Sequence, residues 1–374
     1  MNRPLFCPRS SCTNHYLKHR SQNWYRSAGT YETYAFGTID RFRCNKCGKY
    51  FSTQTFSIDY YTKRTLSYPK LFNHLITTSS IRDMARDLSV SVDVVLNKLS
   101  RLSRNCLAIL QELQRVTTLN EDLAADGFES FTVSQFFPCH VNLLAGKNSQ
   151  LLYWYDYVTL RRKGRMTDEQ KRQREVLERK YRADPKGVEL SFRRLYDQVA
   201  LLICDSKREQ ITLSTDEHPA YQRAKKKNLA VKGLRGQGRF THQRISSQAP
   251  RTRGNPLFSV NYLDRQFRKD LAEHVRETVC FGRNVNCAMD RFSIYCVYHN
   301  LKKPYRESQG DLRTHAEVAG VDKEKAKALL YGLFSRRAFA SKVKPESTYR
   351  MQWNRRYQTP LKENEEYIPK HVAA

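Results

Sequence analysis

Along the chain the hydrophobic pattern switches from helical spacing to strand spacing and back. Between residues 68 and 115 apolar positions recur every three or four residues. Ser80-Ile81-Arg82-Asp83 has the form of a capping box, and Ile81, Met84, Ala85 and Leu88 then share one face. Ser89-Val90 interrupts the pattern. Ser91 caps a second helix whose inner face carries Val92, Val95, Leu96 and Leu99. The small Ala85 at the crossing and the tight turn at Ser89 predict a helix-turn-helix. The stripe runs on through Leu102, Cys106, Ile109, Leu110 and Leu113, which predicts a long connector helix and a possible dimer seam.

From 121 to 160 the period shortens. Leu123 to Phe131 reads as a strand with Asp126 at its middle, and His140–Ala145 and Leu151–Val158 flank a Gly146-Lys147-Asn148-Ser149 turn. Residues 161–183 form a polar, basic helix with Thr167 and Gln170 as its capping box. A helix around Phe192–Ala200 and a strand Leu201–Cys204 follow. Ile211-Thr212-Leu213 is a short strand that stops at Asp216, and Pro219 suits the first position of the next helix. Leu263, Phe267, Leu271 and Val275 then predict a helix from Leu257 to about Glu277. Met289–Leu301 is another, and beyond Pro304 the chain is polar and basic with one helix over Lys323–Phe334.

Composition adds a partner. The chain has 374 residues, enough for two or three domains, with 66 Lys plus Arg against 37 Asp plus Glu and a net charge of +29. Such an excess implies a polyanion, and nucleic acid is the expected one. No apolar run approaches the roughly 18 residues of a membrane span. The start, MNRPLFCPRS, lacks the apolar stretch of a secretory leader, so a cytoplasmic, nucleoid-associated protein is expected. Gln222 to Pro256 holds ten Lys or Arg and no acid, which predicts a mobile basic loop whose Lys225, Lys226 and Lys227 meet phosphates. On the second helix of the helix-turn-helix, Asp93, Asn97, Lys98 and Arg101 are the types that reach base edges and phosphates, and Arg268 is a further DNA contact on its helix.

Two groups of residues carry candidate chemistry. Ten cysteines in a chain of this size are not a disulfide scaffold. Cys7 and Cys12, then Cys44 and Cys47, are two close pairs across a spacer, as a tetrahedral Zn²⁺ site needs, with His15 or His19 as substitutes for Cys12. Phe51 can pack beneath the site, and Tyr25, Thr30, Tyr31 and Tyr34 suit the short strands of a zinc ribbon. The second group is acidic. An ionised Asp126 in an apolar strand is costly unless paired or bound to metal. Glu129 and Asp156 compete with it, and Asp216 stands at a strand's C-terminal end, a natural place for chemistry in an α/β sheet.

The cysteine pairs ending Arg43-Cys44-Asn45-Lys46-Cys47-Gly48, the helix-turn-helix, Asp126, Thr215-Asp216 and Asp264-Arg265 occur in that order. The last of these leads into Arg276-Glu277-Thr278-Val279-Cys280-Phe281-Gly282-Arg283. This combination resembles the insertion-sequence transposases of the zinc-ribbon and helix-turn-helix type, insertion element one and its relatives, over roughly residues 5–305. The resemblance implies an α/β chain with a ribonuclease H-like catalytic domain and a DDE or DDD triad. The expected division is 1–62 zinc ribbon, 63–118 helix-turn-helix with connector, 119–305 catalytic domain with basic insertions at 161–187 and 222–256, and 306–374 basic extension. By position Asp126, Asp216 and Asp264 match the three acids and would bind Mg²⁺ or Mn²⁺. The implied activity is cleavage at DNA element ends and strand transfer, by a homodimer or higher oligomer on DNA. The alternatives are an inactive DNA-binding descendant and a nuclease that does not join. Asp264 departs from the usual Glu and lies 48 residues after Asp216, so Glu273 and Glu277 remain alternatives for the third acid.

Overall fold

In the computed structural model, which describes residues 4–19 and 21–363, three short antiparallel strands come first: β1 (Tyr25–Thr33), β2 (Gly37–Cys44) and β3 (Tyr50–Ser52). Trp24 stacks on Phe51 at 5.6 Å and joins Cys7, Cys12 and Cys44 in a small core separate from the main one. Helices α1 (Tyr68–Ile76), α2 (Ile81–Asp87) and α3 (Val92–Val116) follow, with the Ser80–Asp83 capping box formed and Ser89 at φ +50° in the turn between α2 and α3. The apolar stripe of α3 is covered by the same chain rather than by a second copy. Ser103 Oγ meets Ser293 Oγ at 2.9 Å, and Arg104 Nε donates to the Trp353 carbonyl at 3.2 Å. The dimer-seam expectation therefore fails, because distant segments return to fill the stripe.

The centre of the molecule is a five-stranded mixed sheet. Strands β4 (Leu123–Phe131), β5 (Pro138–Gly146) and β6 (Leu152–Thr159) form an antiparallel meander. Strands β7 (Ile211–Thr215) and β8 (Phe240–Arg244) extend it in parallel, giving the order β6-β5-β4-β7-β8. Strands β5 and β6 are covered on both faces, which explains their nearly unbroken apolar runs. Asp156, a competitor for the acidic site, is instead buried and accepts Arg194 Nε at 3.0 Å, so it serves packing.

Around the sheet lie α4 (Asp168–Glu178), α5 (Gly187–Cys204), α6 (Pro219–Lys227), α7 (Leu229–Gly236), α8 (Phe258–Asp270) and α9 (Val285–Leu301). Leu201–Cys204 is the last turn of α5, not a strand. The spacing Phe192, Leu195, Tyr196, Val199, Leu202, Ile203 carries helical burial straight through it. The expected mobile loop at 222–256 is also wrong in its first half, because it forms the rest of α6, α7 and β8. Only a few apolar residues do this work, with Val231, Leu234 and Phe240 buried and Arg239 Nη2 donating to the Ile203 carbonyl at 2.7 Å. Helix α8 ends at Asp270, short of Glu277. There the α1–α2 turn caps it, Thr78 N donating to the Asp270 carbonyl at 3.1 Å and Thr78 Oγ1 to the Lys269 carbonyl at 2.9 Å.

The C-terminal segment is integral to the body. After α10 (Lys323–Leu329) and α11 (Ser347–Trp353), the side chains of Tyr349, Trp353 and Tyr357 are buried, and Tyr155 Oη donates to Gln352 Oε1 at 2.9 Å. The same segment holds the three-stranded sheet region, since Ile58 N donates to the Ser335 carbonyl at 3.0 Å and Arg337 N to the Phe56 carbonyl at 2.8 Å. No helix among the described residues is long and apolar enough to cross a membrane.

Candidate active site and metal centre

Parallel pairing sets Ala125 opposite Thr215, so the residues that follow, Asp126 and Asp216, leave the ladder side by side where β7 ends. Asp126 Oδ1 accepts its neighbour Gly127 N at 2.7 Å and Tyr221 Oη at 3.3 Å. Tyr221 is held by stacking on Phe192, with ring centroids 3.5 Å apart. Asp216 Oδ1 accepts His218 N at 2.9 Å in the turn that starts α6. Helix α8 crosses β4 through Phe267, whose ring lies 5.3 Å from that of Phe128, and so brings Asp264 toward Asp126.

The electrostatics tie the three acids together. Burial, and then the charge of Asp216, pushes the Asp126 carboxyl up to about 6. Burial, and then the charge of Asp126, pushes Asp264 up to about 8, although Arg268 and Arg251 pull the other way. No hydrogen bond among the described residues reaches the Asp264 carboxylate. The three acids do not close to within 4.8 Å of one another as a set. They are half-buried, of like charge and under-compensated.

The acids at 273 and 277 are elsewhere. Glu273 is buried and accepts Arg291 Nε at 2.6 Å, while Glu277 sits beyond the helix at φ +57°. Both left the α8 face when that helix stopped at Asp270, so Asp264 is the acid of this segment that senses Asp126. Arg268 donates to the Glu129 carbonyl at 2.7 Å and lies 5.0 Å from the Phe128 ring, tying α8 to β4. It also lines a cleft of about 310 Å³ with Arg251, Asp264, Arg265 and Arg276, a strongly cationic approach to the third acid.

Two neighbours went unseen in the sequence. His140 stands opposite Glu129 across the β4–β5 ladder, and its Nε2 is 2.9 Å from Glu129 Oε1, a contact that holds the Glu129 carboxyl low. This leaves Glu129 beside the triad and paired. A Cβ on residue 127 would come within 2.6 Å of His140 Nδ1, so glycine there lets the imidazole lie against β4 next to Asp126. The His218 ring is 6.4 Å from that of His140 and 5.0 Å from that of Tyr221, and burial lowers its proton affinity. The pairing of 129 with 140 belongs to the β4–β5 register, which is set across the connection 132–137 and has no short-turn signature in the sequence to fix it.

The cysteines converge as their spacing predicts. Cys7, Cys12, Cys44 and Cys47 form the only group of three or more ligand types within 4.8 Å among the described residues, and they could hold a zinc ion. Their Sγ atoms lie 3.5 Å apart for Cys7 and Cys47 and 3.9 Å for Cys12 and Cys44. A tetrahedron with Zn–S bonds of about 2.3 Å has edges of about 3.8 Å. Burial works against ionising Cys44, yet the N–H of Cys47, the Asn14 amide and the N–H of Lys46 hold that thiol down to about 6. Gly48, at φ +68°, lets the chain turn so that its N–H donates to the Cys44 carbonyl at 2.9 Å. His15 is not a ligand, since its Nδ1 lies 2.7 Å from the Cys7 carbonyl oxygen, and His19 is outside the cluster.

The expected DNA-reading face is largely withdrawn. Lys98 is buried and pairs with Asp59, and Arg101 is buried and donates to the carbonyls of Ile58 at 3.2 Å and Tyr60 at 2.8 Å. Both anchor the segment that leads from β3 into α1. Asn97 and Asp93 stay exposed. In α6, Lys225 Nζ lies 2.9 Å from His242 Nδ1 and Lys227 Nζ 2.6 Å from Glu189 Oε1, while Lys226 is exposed. Neither known protein-family models nor curated protein sequences give a match to this chain.

Proposed function

We propose that the protein is a DNA transposase whose ribonuclease H-like domain cleaves phosphodiester bonds at element ends and joins the freed ends to target DNA. The observation that carries this reading is the adjacency of Asp126, on β4, and Asp216, just past the end of the parallel β7, with Asp264 raised by burial and then by the charge of Asp126. The sheet order β6-β5-β4-β7-β8, three antiparallel strands continued by two parallel ones, supports it. So do the net charge of +29 and the arginine-lined cleft at Asp264.

The acids fit a divalent cation. Burial and then a neighbouring like charge raise the proton affinity of Asp126 and Asp264, and among the described residues no hydrogen-bond donor reaches the Asp264 carboxylate; hard cations such as Mg²⁺ or Mn²⁺ are matched by carboxylate oxygens. Asp126 and Asp216 would hold one side of the site and Asp264 the other. The bound metal supplies Lewis-acid stabilisation of charge on the phosphate oxygens. The protein's own part is positional. Tyr221 fixes the Asp126 carboxylate, the His218 N–H fixes that of Asp216, and Arg251, Arg265, Arg268 and Arg276 attract the DNA backbone toward Asp264. Water attacks the phosphorus at the element end and breaks its bond to the 3′-oxygen, leaving a 3′-hydroxyl and a 5′-phosphate; that hydroxyl then attacks a phosphorus of the target, forming a new P–O bond and releasing the target's 3′-hydroxyl. Under this reading the four cysteines are the Zn²⁺ site of a zinc ribbon, the chain acts as a dimer or higher oligomer on DNA, and Asn97 and Lys226 remain as DNA contacts.

The test is a supercoiled plasmid carrying the element's own ends, incubated with protein and Mg²⁺. Nicked and joined products that vanish with chelator are expected. Folded, zinc-loaded protein that yields neither product refutes the reading, and nicks without joined products reduce it to a nuclease.

A further inference from the structure

One face of the three-stranded sheet takes no part in the chemistry above. Alternate residues of a strand share a face, and the pairings Tyr31 with Ile39, Arg41 with Ser52 and Arg43 with Tyr50 put Tyr31, Arg41, Arg43 and Tyr50 together. The turn Tyr60-Tyr61-Thr62-Lys63 stands across from them, and the cleft between measures about 540 Å³. A second cleft of about 430 Å³ adjoins it, sharing Tyr50 and Tyr61 and adding Arg9 and Lys49. Among the described residues no Asp or Glu lines either cleft.

Phe51 and Tyr60 form the buried floor of this groove, and two further rings are presented to solvent. Tyr50 is 46% exposed and Tyr61 is 72% exposed. The guanidinium of Arg41 lies 4.6 Å from the Tyr50 ring centre, which holds that cation beside the ring in the groove, while Arg43, 5.4 Å from the same ring, stands outside the lining of both clefts. Tyr61 has φ +53°, a left-handed backbone that a bulky residue adopts at a cost, and its ring lies in the groove with its edge against Tyr60 at 6.2 Å.

We propose that this groove binds single-stranded DNA, with bases stacked on Tyr50 and Tyr61 and phosphates met by Arg9, Arg41, Lys49 and Lys63. Duplex DNA needs a basic surface alone, because its paired bases hide their faces. Exposed aromatic rings between cations, without carboxylates, match unpaired bases on a charged strand. The groove stands apart from the three acids, and only the choice of DNA over RNA rests on the transposase reading.

The test is fluorescence anisotropy of the full-length protein with labelled oligothymidylate, oligouridylate and a duplex of equal length. The double variant Tyr50→Ala, Tyr61→Ala should weaken oligothymidylate binding by about tenfold or more and leave duplex binding unchanged. Tyr50→Phe, Tyr61→Phe should keep the affinity, because the ring and not the hydroxyl stacks. Unchanged zinc content and circular dichroism show that the variants fold. Unaltered oligothymidylate binding in the alanine variant, a parallel loss for the duplex, or a preference for oligouridylate would overturn the proposal. Asp126→Asn should bind oligothymidylate as the parent does. A protein that binds the oligonucleotide but never cuts its element would refute the transposase reading and leave the groove standing.

Discussion

The cysteine cluster and the aspartate cluster are both candidate metal sites, and they are built in opposite ways. The thiols are mostly buried, two pairs lie 3.5 and 3.9 Å apart, and backbone N–H groups already favour thiolate at Cys44. The aspartates are half-buried and spread out, and burial followed by a neighbouring carboxylate raises the proton affinity of Asp126 and Asp264. A closed four-ligand site holds its ion for the sake of the fold. An open, under-compensated one leaves room for substrate oxygens. The contrast implies that losing the first site costs structure and losing the second costs chemistry.

The largest effect should come from breaking the chemistry alone. Asp126→Asn or Asp216→Asn should reduce plasmid nicking by at least about 10²-fold with DNA binding and zinc content intact. The double variant should be no worse than the poorer single one, because one lost ligand already misplaces the ion. Additive losses would separate the two residues.

Next is the fold. Cys44→Ser, or a strong chelator, should remove zinc and melt the region of β1–β3, whose small core is its own, while the main core stays folded. Thermal melting should then split into two transitions. A single unaltered transition would detach the cysteines from stability. Gly127→Ala sharpens the comparison, since its Cβ must displace the His140 ring beside Asp126. It should lower nicking without touching the zinc.

A smaller effect concerns pH. Asp264 is raised to about 8 from an unfolded value near 4, so between those limits the metal-free native state holds a proton that the unfolded chain has lost. Stability should therefore fall as pH rises through that window. Asp264→Asn, which carries no charge, should flatten the dependence and raise the melting temperature in chelator near pH 8 by a few degrees. A melting temperature that rises with pH in the parent protein would reverse the sign of the argument.

The two sites also differed in how far the sequence disclosed them. The four clustered cysteines are legible because their spacing is local, Cys44 and Cys47 lying within one turn closed by Gly48. The strands β4 to β7 are legible because they are apolar and bounded by turns. The acids converge only through the register of β4 with β7 and the crossing of α8, which no local pattern encodes. The same limit explains Lys98 and Arg101. Their charge suggested a DNA-facing surface, but Asp59 and the carbonyls of Ile58 and Tyr60, some forty residues away, draw them inward. At 222–256 the density of Lys and Arg concealed the few apolar residues that complete the sheet. The end of α8 was hidden because its cap is Thr78, from the turn between α1 and α2 nearly two hundred residues earlier.

The central claim is that Asp126, Asp216 and Asp264 converge on one divalent-metal site. Titrating the zinc-loaded, full-length protein with Mn²⁺, followed by electron paramagnetic resonance, tests it without relying on turnover. The account predicts saturable binding that each of Asp126→Asn, Asp216→Asn and Asp264→Asn weakens by about tenfold or more and that Glu273→Gln leaves unchanged. Binding that survives all three aspartate variants, or that Glu273→Gln abolishes while Asp264→Asn does not, would contradict it.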